Sequence, residues 1–138
     1  MSIIILPFQE IRLQDFKYDG IESDYFAGLD IKDIARQYAK MGDAFMGLAD
    51  DEVIGLGGIY PVTQEIAQAW LFLNQSARQY KGAIFREIKS HLDKIIAFKG
   101  YKKVQILCLQ NSFEAINLSE HLGFHKLADM VLYTKNGE

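Results

Sequence analysis

The fold is decided by residues 75–126, which read QSARQYKGAIFREIKSHLDKIIAFKGYKKVQILCLQNSFEAINLSEHLGFHK. Apolar residues in the first half recur at helical spacings, which predicts a long helix with one wide apolar face. That face consists of Ile84, Phe85, Ile88, Leu92, Ile95 and Ile96. Gly100 marks the helix end, and the β-rich run Val104–Leu109 predicts a buried strand after it. With an earlier strand at Ala69–Leu73, we expect two parallel strands joined by a crossover helix.

Length and composition predict one soluble globular domain, residues 1–138. Hydrophobic residues make up 49% of the chain and charged residues 24%, as is usual for such proteins. The formal net charge of −3 argues against a nucleic acid or an anionic membrane as partner. The first residues lack the features of a signal peptide, and no apolar span of about 18 residues exists, so we expect a cytoplasmic protein.

Cysteine and histidine usage predicts neither a disulfide nor a metal site. The single cysteine, Cys108, lies in the predicted buried strand, where a structural thiol is expected rather than a nucleophile. The histidines, His91, His121 and His125, do not have metal-ligand spacing.

The first half of the chain predicts strands and short helices in alternation. We expect a strand at Ile3–Leu6, a helix with a flexible loop across Phe8–Asp30, and a short amphipathic helix that begins at Ile31 and ends near Met41-Gly42. Two apolar runs around the acidic turn Asp50–Glu52 predict a β-hairpin. A further antiparallel strand is expected at Ile66–Leu73.

The glycines of the hairpin and the end of the chain complete the predicted fold. Gly55, Gly57 and Gly58 weaken the second hairpin strand and predict a bulge or a close approach by another chain or a ligand. After the crossover unit we expect a helix that begins at Asn111, then two short closing strands within His125–Lys135. The order predicts an α+β fold with a mixed, mostly antiparallel central sheet and helices on both faces.

Three segments of this chain resemble the GNAT superfamily of N-acetyltransferases, and the resemblance covers roughly Ala44–Tyr133. Asp51–Ile59 is similar to the family's hairpin, and Gln79–Gly82 is similar to the start of its acyl-CoA loop, Q/R-x-x-G-x-G/A. The third segment is the family's late motif, here Asn111, Ala115, Ile116, Leu118 and Leu122-Gly123-Phe124. The resemblance implies acetyl-CoA as co-substrate and an amine of a small molecule or peptide as acceptor. It also implies a cofactor site made of Leu71, Leu73, Arg78, Gln79, Lys81, Gly82, Ala83, Ile84 and Asn111.

One departure concerns the acyl-CoA loop. In the family, small residues let backbone N–H groups at a helix N-terminus approach a pyrophosphate. Here Ile84 stands where a second small residue is expected, although its side chain could point away. Ser76–Gln79 also has the pattern of a capping box. If the helix starts at Ala77, no phosphate loop exists.

A second departure concerns the catalytic groups. Many members of the family carry a tyrosine at the position of Ser119, where it protonates the leaving thiolate. A serine hydroxyl is a weaker acid and would need a relay through water, or a tyrosine from elsewhere, such as Tyr60, Tyr80 or Tyr133. The resemblance implies a backbone N–H donor to the thioester carbonyl near Leu71–Leu73. Glu65 is our candidate base.

The sequence leaves two functions open. One is an acetyl-CoA-dependent N-acetyltransferase, and the other is a GNAT-like binding or structural protein without catalysis, such as the divergent forms encoded by bacteriophages. The acids Asp19, Glu22, Asp24 and Asp30 could attract a cationic acceptor or be ordinary loop residues. A homodimer is a further possible partner arrangement.

Overall fold

The computed structural model describes residues 3–19, 30–107, 125–128 and 132–136, together with Glu120 and Leu122. The strands are β1 (Ile3–Pro7), β2 (Asp43–Ala49), β3 (Glu52–Pro61), β4 (Ile66–Leu73), β5 (Lys103–Leu107), β6 (His125–Ala128) and β7 (Leu132–Asn136). The helices are α1 (Glu10–Leu13), α2 (Ile31–Met41) and α3 (Lys81–Lys99), with a 3₁₀ helix at Gln75–Tyr80 directly before α3.

The seven strands form one sheet in the order β1-β2-β3-β4-β5-β7-β6. Strands β4 and β5 are parallel, and every other pair of described neighbours is antiparallel. The predicted crossover unit is therefore confirmed, with α3 as the connection. So are the hairpin and the mixed, mostly antiparallel sheet.

The β2–β3 hairpin contains a left-handed turn at the acidic residues and a bulge beside the glycines. Asp50 and Asp51 have φ angles of 49° and 68°, a left-handed pair typical of two-residue hairpin turns, and aspartate tolerates that region better than most residues. The register shifts so that Leu48 pairs with Val53 while Gly47 pairs with Gly55. Residue 54 is thus the extra residue of a β-bulge, which confirms that part of the prediction.

The other predicted alternative was a close approach by another chain or a ligand, whereas the described atoms nearest these glycines belong to the protein itself. A Cβ on Gly55 would lie 2.7 Å from Leu73 Cδ2, and one on Gly57 would lie 2.8 Å from the Phe45 ring. One on Gly58 would lie 2.5 Å from the backbone oxygen of Asp43. The space above this strand is therefore filled by the protein's own side chains and backbone.

Each face of the sheet carries its own core. Alternate residues of β2 show this, since Phe45 and Ala49 pack with α3 whereas Met46 and Leu48 pack with α1 and α2. The α3 face buries Ile84, Ile88, Leu92 and Ile96, four members of the predicted stripe. The opposite face buries Leu13, Phe16 and Ala35. Helices on both faces are therefore confirmed.

Helix ends follow local chemistry. Asp30 caps α2, because its carboxylate accepts a hydrogen bond from the Asp33 backbone N–H at 3.1 Å. Gly100 ends α3 with φ 74°, a left-handed conformation that glycine adopts at low cost. The predicted helix after Asn111 and the late motif from Ala115 to Phe124 lie outside the described residues, apart from Leu122, which is buried.

Candidate functional site

The candidate site begins where β4 and β5 stop pairing. Register pairs join Ile66–Gln68 to Lys103–Gln105, and the described part of β5 then continues to Leu107 in contact with β7. Strand β4 continues to Leu73 with partners only in β3 among the described residues. We call this segment, Ala69–Leu73, the open edge of β4.

The direction of the backbone groups along β4 follows from two flanking hydrogen bonds. Asn74 donates its N–H to the Ile54 carbonyl on the β3 side at 3.1 Å. The Glu65 carbonyl instead accepts from two N–H groups at the start of β5. Because backbone groups alternate sides along a strand, Leu71 and Leu73 direct their N–H and C=O groups away from β3, across the open edge. These are two of the nine residues that the family resemblance implies for the cofactor site.

The N-terminus of α3 follows the open edge along the chain. Tyr80 occupies the N-cap without a side-chain cap hydrogen bond, and the first turn contains no acidic residue. The first N–H groups of an α-helix lack partners within the helix and attract anions. No acidic side chain within this first turn would therefore compete with an anion for these donors.

Gly82 lies in that first turn and is exposed. Among the described atoms, none lies within 4 Å of the position that a Cβ on Gly82 would take. Packing within the described structure therefore does not require glycine at this position, which is compatible with a ligand that approaches the backbone closely.

The side chain of Ile84 points into the core. It is fully buried, and its Cδ1 would lie 3.2 Å from a Cβ on Gly47 of β2. The isoleucine that departs from the family pattern therefore packs on a glycine of the sheet, away from the exposed surface of the first turn.

The chain between β4 and α3 is a 3₁₀ helix, and it excludes the predicted capping box. The Ser76 hydroxyl donates to Glu52 Oε1 at 3.1 Å rather than capping a helix. Asn74 makes the first bond of this segment, since its carbonyl accepts from the Ala77 N–H at 3.2 Å. An α-helix that starts at Ala77 is therefore wrong, because α3 begins at Lys81.

The remaining predicted cofactor residues lie on or next to this segment. Arg78 and Gln79 are exposed on the 3₁₀ helix, and Ala83 is half-buried in the first turn of α3. The side chain of Lys81 and all of Asn111 lie outside the described residues.

Glu65 and Leu71 are not brought together. Glu65 precedes β4 at the end where β4 and β5 are paired, about 20 Å along the strand from Leu71. Its exposed carboxylate forms an ion pair with Lys102 Nζ at 3.2 Å. The role of Glu65 as a base stays a prediction, which this position does not favour, and Ser119 lies outside the described residues.

Structural partners are present for the described acids that could attract an acceptor and for Tyr60, a predicted substitute for the acid at position 119. Asp19 Oδ1 accepts a hydrogen bond from the Gln75 backbone N–H at 2.9 Å, and Asp30 caps α2. Tyr60 stacks on Tyr38 with ring centroids 5.3 Å apart, and burial raises the pKa of Tyr60. Of the other acids, Glu22 and Asp24 lie outside the described residues, as does the side chain of Tyr133.

An aromatic wall borders the open edge on the α1–α2 face, and the sequence did not identify it as a unit. Tyr18 meets Phe72 edge-on at 5.8 Å between centroids, and Phe72 lies 5.8 Å from the Trp70 ring. Alternation along β4 could have placed Trp70 and Phe72 on one face. The contact with Tyr18 depends on the path of the chain after α1.

The described residues contain neither a metal-binding cluster nor a membrane-spanning helix. No group of three or more His, Cys, Asp or Glu side chains within the described ranges could hold a metal ion. No helix in the part of the chain that the structure describes has the length and apolarity needed to cross a bilayer.

Comparison with solved structures identifies the fold. The chain is similar to a GNAT-family acetyltransferase from Staphylococcus aureus Mu50 (TM-score 0.73, 15% identity, 99% of this chain and 100% of that chain). It is also similar to the PaiA N-acetyltransferase from Thermoplasma acidophilum in complex with coenzyme A (0.74, 16%, 99% and 99%). A GNAT-family acetyltransferase from Elizabethkingia anophelis with acetyl-CoA bound matches over 98% of both chains (0.63, 17%).

Comparison by sequence alone does not identify a family for this chain. No protein-family model matches it, and no curated protein matches it significantly. At identities of this size, similarity of structure shows the fold and not the activity. The chain has the fold of the GNAT-family acetyltransferases.

Proposed function

We propose that residues 1–138 form one acyltransferase domain that moves an acetyl group from acetyl-CoA to an amine of a small molecule or peptide. The observation that carries this proposal is the open edge of β4, which directs the backbone groups of Leu71 and Leu73 away from β3. The α3 N-terminus supports it, because its first turn offers donors next along the chain. Two of the similar structures contain coenzyme A or acetyl-CoA.

The open edge suits the amide-bearing pantetheine arm of coenzyme A. An exposed strand edge offers alternating donors and acceptors, which pair with the amides of an extended ligand as they would with another strand. Leu71 and Leu73 would make these contacts. The first-turn N–H groups at Gly82 and Ala83 would hold the pyrophosphate, and Arg78 would add a charge-assisted contact.

The bound co-substrate would supply an activated thioester, whose C–S bond breaks as the amine nitrogen forms a C–N bond with the acetyl carbon. The chain's contribution at the reacting carbonyl is the N–H of Leu71, which would stabilise negative charge as it develops on the oxygen. The acceptor ammonium must lose a proton before attack, and the leaving thiolate must gain one.

The proton-transfer groups remain those predicted from the sequence. Glu65 would take the ammonium proton only through a chain of waters, because it lies far from Leu71 along β4. Ser119 would deliver a proton to the thiolate, also through water. A homodimer is likewise still a prediction.

A second function is favoured by the position of Glu65. Its ion pair with Lys102 leaves the open edge without the predicted base, as expected for a GNAT-like protein that binds its ligand but does not turn it over. This protein would retain the coenzyme site and lack transfer.

Thermal denaturation and a thiol-release assay separate these functions. Coenzyme A at about one hundred times its dissociation constant should stabilise the protein by about 2.7 kcal/mol. Release of free thiol from acetyl-CoA with a panel of small amines and lysine-containing peptides then tests transfer. Stabilisation with thiol release supports the enzyme, stabilisation without release supports the binding protein, and no stabilisation at millimolar coenzyme A contradicts both.

A further inference from the structure

Asn74 lies directly after the open edge and has an unusual environment for its side chain. Among the described residues it is the one polar residue that is buried, with 5% of its surface exposed. A buried amide costs free energy unless its donors and acceptor find partners. The partners of Asn74 lie in two elements, the β-bulge of β3 and the 3₁₀ helix before α3.

On one side Asn74 binds the β-bulge of β3. Its backbone N–H donates to the Ile54 carbonyl at 3.1 Å, and its side-chain Nδ2 donates to the Val53 carbonyl at 3.2 Å. In a regular strand, successive carbonyls point to opposite sides. The bulge at residue 54 breaks this alternation, and the side-chain amide satisfies a carbonyl that a plain backbone could not reach.

On the other side Asn74 starts the 3₁₀ helix. The Ala77 N–H donates to both Asn74 Oδ1, at 3.3 Å, and the Asn74 carbonyl, at 3.2 Å. A 3₁₀ helix rises about 2 Å per residue, so Gln75–Tyr80 advances the chain by only about 12 Å before α3 begins. The first turn of α3 is therefore kept close to the end of β4.

Two further hydrogen bonds of this segment are exposed, and the Ala77 side chain is buried in the core. Asp19 accepts from the Gln75 N–H, and the Ser76 hydroxyl donates to Glu52, and both hydrogen bonds lie at the surface. Exposed hydrogen bonds compete with water and contribute less than a buried one whose loss leaves an unsatisfied group. Asn74 thus supplies buried hydrogen bonds between this segment and the sheet, beside the apolar packing of Ala77.

We propose that Asn74 is the positioning residue of the coenzyme site, which holds the N–H groups at the start of α3 in a fixed position relative to the open edge. This role rests on the proposed function, because it assigns the phosphates of coenzyme A to α3 and the pantetheine arm to β4. Asn74 itself touches neither. Substitution of Asn74 should therefore weaken the binding of the coenzyme A phosphates and leave the binding of the pantetheine arm unchanged.

Hydrogen exchange tests the anchoring without any ligand. In the wild type, the Ala77 amide and the Asn74 side-chain NH₂ group should be protected. In Asn74→Ala, exchange across residues 75–84 should accelerate by at least about tenfold while β1–β3 keep wild-type protection. Unchanged exchange across 75–84, or an unprotected Ala77 amide in the wild type, would overturn the proposal.

Ligand affinity tests the consequence. Coenzyme A should bind Asn74→Ala at least about tenfold more weakly than the wild type, whereas phosphate-free pantetheine should bind both within about twofold. Ser76→Ala, which removes an exposed hydrogen bond of the same segment, is the matched control and should retain wild-type affinity for both. Equal weakening of both ligands would indicate general damage to the fold and would contradict a positioning role.

The Asn74→Asp variant distinguishes the hydrogen bond to the bulge from the hydrogen bond to the 3₁₀ helix. It keeps an acceptor for the Ala77 N–H but loses the donor to Val53, so it should behave like Asn74→Ala. Wild-type affinity in this variant would overturn the proposed bridge to the bulge. If the wild type binds no coenzyme A, the proposed function fails, and hydrogen exchange alone decides the role of Asn74 as an anchor.

Discussion

Ile84 in the first turn of α3 packs onto Gly47 in the middle of β2. A Cβ on Gly47 would lie 3.2 Å from Ile84 Cδ1, and the isoleucine is fully buried. The absence of a side chain on the strand therefore makes room for the large side chain on the helix. The backbone N–H groups of the same helical turn point along the helix axis toward its N-terminus, a direction that the Ile84 side chain does not share.

This relationship predicts the effect of restoring a small residue at position 84. Ile84→Ala should destabilise the fold by about 2–4 kcal/mol, because it leaves a cavity against the sheet. Its affinity for coenzyme A should stay within about twofold of wild type, since the side chain does not face the proposed pyrophosphate site. Urea unfolding and calorimetric titration measure the two quantities. A large gain in affinity would show instead that Ile84 obstructs the ligand.

Gly82→Ala should weaken the binding of coenzyme A without loss of stability, the reverse of the result expected for Ile84→Ala. Alanine is a better helix former than glycine by about 0.5–1 kcal/mol, and the added methyl meets no described atom within 4 Å. The variant should therefore be slightly more stable. Coenzyme A should bind about tenfold more weakly, because the methyl group intrudes where phosphate would contact the backbone.

The control for Gly82→Ala is Gly58→Ala, in which the Cβ would lie 2.5 Å from the backbone oxygen of Asp43. This variant should be destabilised by about 1–3 kcal/mol, because a backbone atom cannot move aside easily. If Gly82→Ala also loses stability, then glycine at position 82 serves the fold and not a ligand.

Proline substitution tests the direction of the β4 backbone. Leu71→Pro removes an N–H group that faces the open edge, so the β3–β4 ladder should survive. Acetyl transfer should fall by about a hundredfold, the cost of losing one oxyanion donor. Leu71→Ala controls for the lost side chain and should retain most of the activity.

Phe72→Pro provides the complementary control. Its N–H faces β3, and its loss should destabilise the sheet by about 3 kcal/mol or more. Circular dichroism during thermal unfolding compares the two proline variants. Equal destabilisation of both would contradict the alternation that we infer along β4.

Stability should depend on pH through His91, whose ring packs edge-on against Phe45. Burial lowers the pKa of His91 below its ordinary value and the charge of Lys94 lowers it further, while Asp43 acts weakly in the opposite direction. The unfolded state therefore binds more protons between the two pKa values. The contribution of neutral His91 is complete above the unfolded value of about 6.5 and is lost as the pH falls through the folded value.

The His91→Gln variant isolates this contribution. Between about pH 7.5 and pH 5.5, the wild type should lose more stability than the variant, because glutamine does not titrate. Unfolding in urea at both pH values gives the difference. An identical loss in both proteins would show that other groups account for the pH dependence.

Much of the fold follows from local sequence. The spacing of Ile84, Ile88 and Leu92 identified α3 and its buried face, and the alternation and turn residues around Asp50 identified the hairpin. These features are local, because they depend on residues that are neighbours along one helix or strand. The left-handed conformation of Gly100 is predictable for the same reason.

The candidate site was predicted less completely. Leu71, Leu73 and Gly82 were identified through the resemblance to a family. The anchoring role of Asn74 was not, although an asparagine directly after a strand is a known signal for a turn. Glu65 was chosen for its chemistry, and its distance from Leu71 depends on which end of β4 pairs with β5.

The sequence by itself therefore predicted α2, α3 with its buried face, the β2–β3 hairpin and β4, because hydrophobic periodicity and turn chemistry act over a few residues. Only the tertiary structure decided that β4 and β5 separate after Gln68 and Gln105, that Ile84 packs on Gly47, and that Asn74 joins the bulge to the start of the 3₁₀ helix. Each of these features depends on residues that are distant along the chain, such as Ile84 and Gly47, or Asn74 and Val53. Their geometry depends on how the sheet and α3 pack together, which no short pattern of residues encodes.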